Sequence, residues 1–196
     1  MTFNPTSPGS PTPVKIHGNA AFFSVACPSL DQCTTVDGSG DEVTFNPASP
    51  GTPTPVRIFP YGLSAVACPS TSQCTGVDAT GQEVTFNPAS PGTPTPATII
   101  PNNGGPYTVA CPSVSQCTAV GSTGQGQNYN GQEVTFNPAL PGTPTPVTIE
   151  PQPGPGGIAA VACPSVSQCT AVDGSRHEVT FNPASPDTGP VSTSPR

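Results

Sequence analysis

The chain has no tryptophan, a single methionine, and four basic residues (Lys15, Arg57, Arg176 and Arg196) against 11 acidic ones, for a formal net charge of −7 over 196 residues. So few cations cannot build the basic surface that a phosphate backbone requires, which excludes a nucleic-acid-binding role. No apolar run approaches the roughly 18 residues that a membrane-crossing helix needs, so no membrane span is expected. Large aliphatic side chains are scarce too. Leu, Ile, Val and Phe number 35 of 196, or 18%, a level typical of chains that do not fold. Glycine and proline make up 51 residues, or 26%, which points the same way if they fall at random.

They fall periodically. Val-Thr-Phe-Asn-Pro occurs at 43–47, 84–88, 134–138 and 179–183, and Met1–Pro5 repeats it with Met in place of Val. Ala-Cys-Pro-Ser-x-x-Gln-Cys-Thr occurs at 26–34, 67–75, 110–118 and 162–170. Phe3, Phe45, Phe86, Phe136 and Phe181 are spaced by 42, 41, 50 and 45 residues. Such a period marks an array of supersecondary units. The longer spacings come from extra residues between Gly121 and Glu133, Ile99 and Cys111, and Ile149 and Cys163. These stretches are rich in Gly, Pro, Asn and Gln and read as loops, where insertions are tolerated.

Each unit divides into four short β-type segments set off by turn residues. In the second unit they are Gly62–Cys68, Cys74–Asp78, Glu83–Pro88 and Pro96–Ile100. No window holds a helical period, and the frequent prolines would break a helix. The expected class is all-β: a β-propeller of four-stranded antiparallel blades, with about four blades present as an arc of a larger ring. Whole blades are expected at 21–59, 60–100 and 101–150, with partial blades at 1–20 and 151–186 and a frayed tail at 187–196. Small residues flank the valines of the first segment (Ala67 and Ala65 around Val66), as suits a crowded strand near the axis. Proline opens the fourth segment at Pro13, Pro55, Pro96 and Pro146, as suits an outer edge strand. Four first-to-second hairpins stand against five third segments, so a closed ring of four would leave one strand over. A stacked β-solenoid is the competing arrangement.

The pattern Ala-Val-Ala-Cys-Pro-Ser-x-Ser-Gln-Cys-Thr-Ala-Val-Asp-x-x-Gly-Gln-Glu-Val-Thr-Phe-Asn-Pro resembles repeats in secreted proteins of actinobacteria and related soil bacteria. Those units are similar to neuraminidase-like (Asp-box) and photosystem-II-assembly-factor-like propellers. The resemblance spans the chain to about Pro186 and implies a blade plan. The Asp-box itself is replaced by Thr-Phe-Asn-Pro-Ala-Ser-Pro-Gly-Thr-Pro-Thr-Pro, so the resemblance implies no enzymatic activity.

The eight cysteines form four pairs, Cys27/Cys33, Cys68/Cys74, Cys111/Cys117 and Cys163/Cys169, each across the loop joining the first two segments. An antiparallel hairpin brings such residues within disulfide reach. Structural zinc prefers closer pairs and often histidine, and His17 and His177 lie in neither loop. Disulfides are therefore expected, and with them an oxidising, extracellular or cell-surface location. Met1–Thr6 has neither the basic nor the apolar part of a signal peptide. Met1 stands where other copies carry Val, so it is read as an internal start within a longer gene.

Chemistry is sparse. Asp37, Asp78 and Asp173 end the second segment, and Glu42, Glu83, Glu133 and Glu178 begin the third. The aspartates are read as turn formers and the glutamates as solvated strand ends, so no catalytic pair is assigned. The cluster Asp37–Glu42 has the oxygen ligands calcium favours but no calcium-repeat spacing, and no metal or cofactor is assigned. Places where copies differ are better pointers to recognition: Tyr61, Asn103, Tyr107 and Tyr129 are taken as candidate binding-loop residues for a protein or carbohydrate partner. The expected function is a non-catalytic extracytoplasmic scaffold or binding module. The alternative is an accessory propeller fragment of a secreted carbohydrate-active enzyme.

Overall fold

The computed structural model describes residues 5–7, 9–10, 12–18, 20–101, 106–125, 128–151 and 157–186. The described residues contain β-strands and no helix. Blade 1 comprises β1 (Phe22–Ser29), β2 (Gln32–Asp37), β3 (Asp41–Phe45) and β4 (Val56–Arg57). Blade 2 comprises β5 (Ala65–Ser70), β6 (Gln73–Val77), β7 (Gln82–Phe86) and β8 (Ala97–Thr98). Blade 3 comprises β9 (Pro106–Ser113), β10 (Gln116–Gln125), β11 (Asn128–Phe136) and β12 (Val147–Pro151). Blade 4 has β13 (Ile158–Ser165), β14 (Gln168–Asp173) and β15 (Glu178–Phe181). Within each sheet the strands lie in chain order and pair antiparallel.

The four sheets form a four-blade β-propeller arrangement. The first strand of each blade packs on the first strand of the next, β1 on β5, β5 on β9 and β9 on β13. Among the described residues β13 and β1 make no comparable packing, which leaves the seam between blade 4 and blade 1 open.

Register fixes which side chains face which neighbour. In blade 1, Cys33 pairs with Phe45, Thr34 with Thr44, Thr35 with Val43 and Val36 with Glu42. Since side chains alternate along a strand, Cys33, Thr35, Val43 and Phe45 share one face, here called the front. Thr34, Val36, Glu42 and Thr44 share the back. Blade 2 repeats the register with Cys74, Gly76, Val84 and Phe86 in front.

All four cysteine pairs form disulfides within their own hairpins, and no cysteine is free. Each bridge spans an irregularity in the first-to-second-strand ladder, as between Ala26 and Ser29. A loop this short contributes roughly 2 kcal/mol on the chain-entropy account.

Two expectations need correction. The insertion in the third unit is not a loop, because β10 and β11 continue through it in register from Gly121↔Gln132 to Gln125↔Asn128. Gly121 stands where other blades carry the turn-forming Asp, so nothing closes the hairpin early. Consequently Tyr107 and Tyr129 lie in β9 and β11 rather than in loops. In the partial blade expected at 1–20, Pro13–His17 has the fourth-strand sequence but enters no sheet. Its would-be third strand at 1–4 and the tail at 187–196 lie outside the described residues.

In blades 1 and 2 one turn glycine is dictated by a close approach, and the equivalent residue in blade 4 is Arg176, at φ 76°. Gly81 has φ 97°, its carbonyl accepts from the backbone N–H groups of Ile99 and Ile100, and a Cβ there would meet the Ile100 carbonyl. Gly40 holds Ile58 and Phe59 in the same way. Gly81→Ala is therefore expected to destabilise the protein by at least about 1–3 kcal/mol, measured as a lower denaturant midpoint. A midpoint within error of wild type would contradict this account of the turn.

Candidate functional site

The seams between blades are where most side chains converge. Behind blade 1 and in front of blade 2, Val36, Ile58, Phe59, Leu63, Val66, Cys74, Val84 and Phe86 form one buried cluster. The corresponding residues of blades 2 and 3, including Val77, Ile99, Val109, Cys117 and Phe136, form a second. Val120, Ile149, Ile158, Cys169 and Phe181 anchor the third, between blades 3 and 4. Each seam also carries the same polar staple. The side-chain amide of Gln32 donates to the Thr71 carbonyl of the next blade at 2.9 Å, Gln73 to Val114 at 2.8 Å and Gln116 to Val166 at 2.9 Å. The glutamine in the cysteine motif thus has a use between repeats that reading one repeat at a time does not reveal.

Among the described residues, the two outer faces of the array lack this cover. Val66 and Val109, on the front of blades 2 and 3, are 5% and 6% exposed, whereas Val25 in blade 1 is 59% exposed. On the back, Val36, Val77 and Val120 are fully buried, whereas Val172 in blade 4 is 42% exposed. An open cavity of about 520 Å³ lies on the front of blade 1, lined by Ile16, Phe22, Val25, Leu30 and Phe45 among others.

The aspartates behave as turn formers. Asp37 Oδ1 accepts from the backbone N–H groups of Ser39 and Asp41 at 2.8 and 3.0 Å, and Asp78 and Asp173 do the same in their turns. The glutamates do not behave as expected. Glu42, Glu83 and Glu133 are each 2% exposed, not solvated. Each accepts from a threonine hydroxyl that is itself bonded to a cross-strand threonine: Thr44 and Thr34, Thr85 and Thr75, Thr135 and Thr118. Burial pushes the three carboxyls from 4.5 up to about 7, with the threonine bond pulling the other way. Glu178, on the uncovered back of blade 4, is exposed.

Two clusters hold the donor types of a divalent-cation site, one imidazole nitrogen and two carboxylates within 4.8 Å: His17, Asp37 and Asp41, and Glu150, Asp173 and His177. In the first, His17 Nε2 lies 3.7 Å from Asp37 Oδ2, a buried oxygen with no hydrogen-bond partner. Asp41 is engaged by Arg57 at 2.6 Å. In the second, His177 Nδ1 lies 3.0 Å from Asp173 Oδ2 and 3.5 Å from Glu150 Oε1. Burial and then the Asp173 charge raise the Glu150 pKa, and His177 opposes them.

Of the candidate binding residues, Tyr61 is 67% exposed and stands edge-on to Phe59, with ring centroids 6.2 Å apart. Asn103 lies outside the described residues, and Tyr107 and Tyr129 are on strands remote in sequence from Tyr61.

No protein-family model and no curated protein matches the chain. Solved structures do match. The crystal structure of the computationally designed Ika4 protein superposes with a TM-score of 0.62 at 9% sequence identity, over 87% of this chain and 99% of that one. At that identity the likeness concerns the fold alone.

The buried glutamates make stability depend on pH. A carboxyl whose pKa is about 7 folded and near 4.5 unfolded stabilises the fold fully below its unfolded pKa. That contribution is lost as pH rises through about 7. Glu83→Gln, which keeps the shape without the charge, is expected to leave stability nearly unchanged at about pH 5. At about pH 8 it should raise stability by on the order of 2–3 kcal/mol. Parallel wild-type and variant pH profiles in denaturant melts would show that Glu83 does not titrate as described.

Proposed function

We propose that this protein is a non-catalytic, extracytoplasmic scaffold or binding module whose partner is a protein or a carbohydrate. The observation that carries the reading is how the recurring reactive groups are spent. The cysteines are closed into disulfides, the aspartates hold turns, and the glutamates end threonine ladders. The cysteines and glutamates are consumed in this way in all four blades and the aspartates in three, which suits groups that serve the array rather than one reaction. Four disulfides belong with folding in an oxidising compartment. Tyr61 and the uncovered blade faces supply the amphipathic and apolar surface that recognition uses.

The reading is tested on protein from the cells that make it. The expected result is recovery outside the cytoplasm with no thiol titratable before reduction. Panels of chromogenic glycosides, esters and peptides should then show no turnover above buffer. Recovery as a reduced cytoplasmic protein would overturn the location. Turnover abolished by one side-chain substitution that leaves the fold intact would overturn the non-catalytic reading.

A further inference from the structure

The uncovered front of blade 1 and the uncovered back of blade 4 are the two halves of an interface that the chain already makes three times. We propose that a second copy of this chain docks the back of its blade 4 onto the front of blade 1, head to tail, extending the ring by the same seam. This goes beyond the scaffold reading and does not depend on which ligand the module binds.

Residue-by-residue equivalence identifies the occupant. At the internal seams the front-face valine is covered by the preceding blade and the back-face valine by the following one. Val25 and Val172 are the copies for which the described residues supply no cover, at 59% and 42% exposure. The innermost residues of the back of blade 4, Ala160 and Ala162, are exposed, whereas their counterparts in blade 2, Ala65 and Ala67, are buried and half-buried. The staple is split in the same manner. Gln32, Gln73 and Gln116 reach the next blade's hairpin carbonyl at Thr71, Val114 and Val166. Gln168 is the exposed donor left over, and Leu30, 90% exposed, occupies the position of those acceptors in blade 1.

The amino-terminal segment marks where the incoming blade would sit. Pro13–His17 matches the fourth-strand sequence of Pro55–Phe59. It already rests against blade 1, His17 lying 5.9 Å from Phe22 between ring centroids, just as Phe59 shares its cluster with Leu63. Ile16 lines the cavity beside Val25 and Phe45. The space left open is that of the inner strands of a preceding blade, and β13–β15 of another copy present those strands with their back face bare. An interface of this kind is heterologous: it closes into a ring if the rotation between copies permits and otherwise extends as a filament.

Sedimentation velocity and light scattering on the oxidised full chain provide the test. Self-association that rises with concentration is expected. Val25→Glu and Val172→Glu, both at exposed positions, should each weaken it at least about tenfold while leaving circular dichroism and thermal unfolding as in wild type. Leu140→Glu, equally apolar and exposed but on neither face, should not weaken it. Mixing the two seam variants is decisive, because each keeps one intact face: the mixture should form a one-to-one dimer that grows no further. A wild type that stays monomeric at every concentration overturns the proposal, whether its own ends close or its faces stay wet. A mixture that does not pair, or a Leu140→Glu chain that loses association, overturns it equally.

Discussion

A blade of this protein is a single sheet, so neither of its faces can be buried from within. Everything apolar on a blade must be covered by the next one, and the core accordingly falls into clusters shared between neighbouring blades. This explains how a chain with 18% Leu, Ile, Val and Phe holds a fold. The same few positions, a front-face valine and phenylalanine and a back-face valine and isoleucine, are reused at every seam. The disulfide hairpins add restraint where the apolar supply is thin. They also put one buried cysteine into each seam between blades, Cys74, Cys117 or Cys169, as apolar filling.

The seam also governs the electrostatics. Glu42, Glu83 and Glu133 are buried because a following blade lies over the back face, and Glu178, on the same strand position with no following blade among the described residues, is exposed. Their raised pKa is thus a property of blade stacking, not of the strand that carries them. The threonine ladder offsets part of the desolvation by giving each carboxyl a donor that is already held in place by its cross-strand partner. Blade 4 keeps the ladder, Thr170 to Thr180 to Glu178, without the burial.

What was legible in the sequence lay within one repeat. The segment order, the cysteine pairing across the hairpin, the aspartate turns and the proline-led outer strand all follow from residues close along the chain, and the structure has each of them. What was not legible lay between repeats. Nothing near Glu83 in sequence says that it is covered, and the use of Gln73 appears only when Val114 of the next blade is in place. The third unit misled for a different reason. Its Gly- and Gln-rich insertion has loop composition, yet the loss of the turn aspartate at Gly121 let the hairpin run on through Tyr129. Composition was a weaker guide there than the absence of one carboxylate.

The seams are alike in plan but not in their polar detail, and the differences are paired. The residue ending the fourth-strand sequence is His17, Phe59, Ile100 or Glu150, and the turn residue at the equivalent place in the next unit is Asp37, Asp78, Gly121 or Asp173. Where the first is apolar, the turn either has no carboxylate, at Gly121, or keeps it satisfied locally, as Asp78 does through Thr80. Where the first is ionisable, a histidine and carboxylates meet: His17 with Asp37, and His177 between Glu150 and Asp173. A pairing displaced by two units would set Glu150 against Asp78 with no histidine to separate them, or Phe59 against Asp173 and its histidine. An uncompensated buried charge costs several kcal/mol. The apolar positions alone, being nearly identical from seam to seam, cannot impose such a penalty on a wrong pairing. The shared valines and phenylalanines therefore make the blades stick, and the few polar side chains at the turn ends make them stick in order.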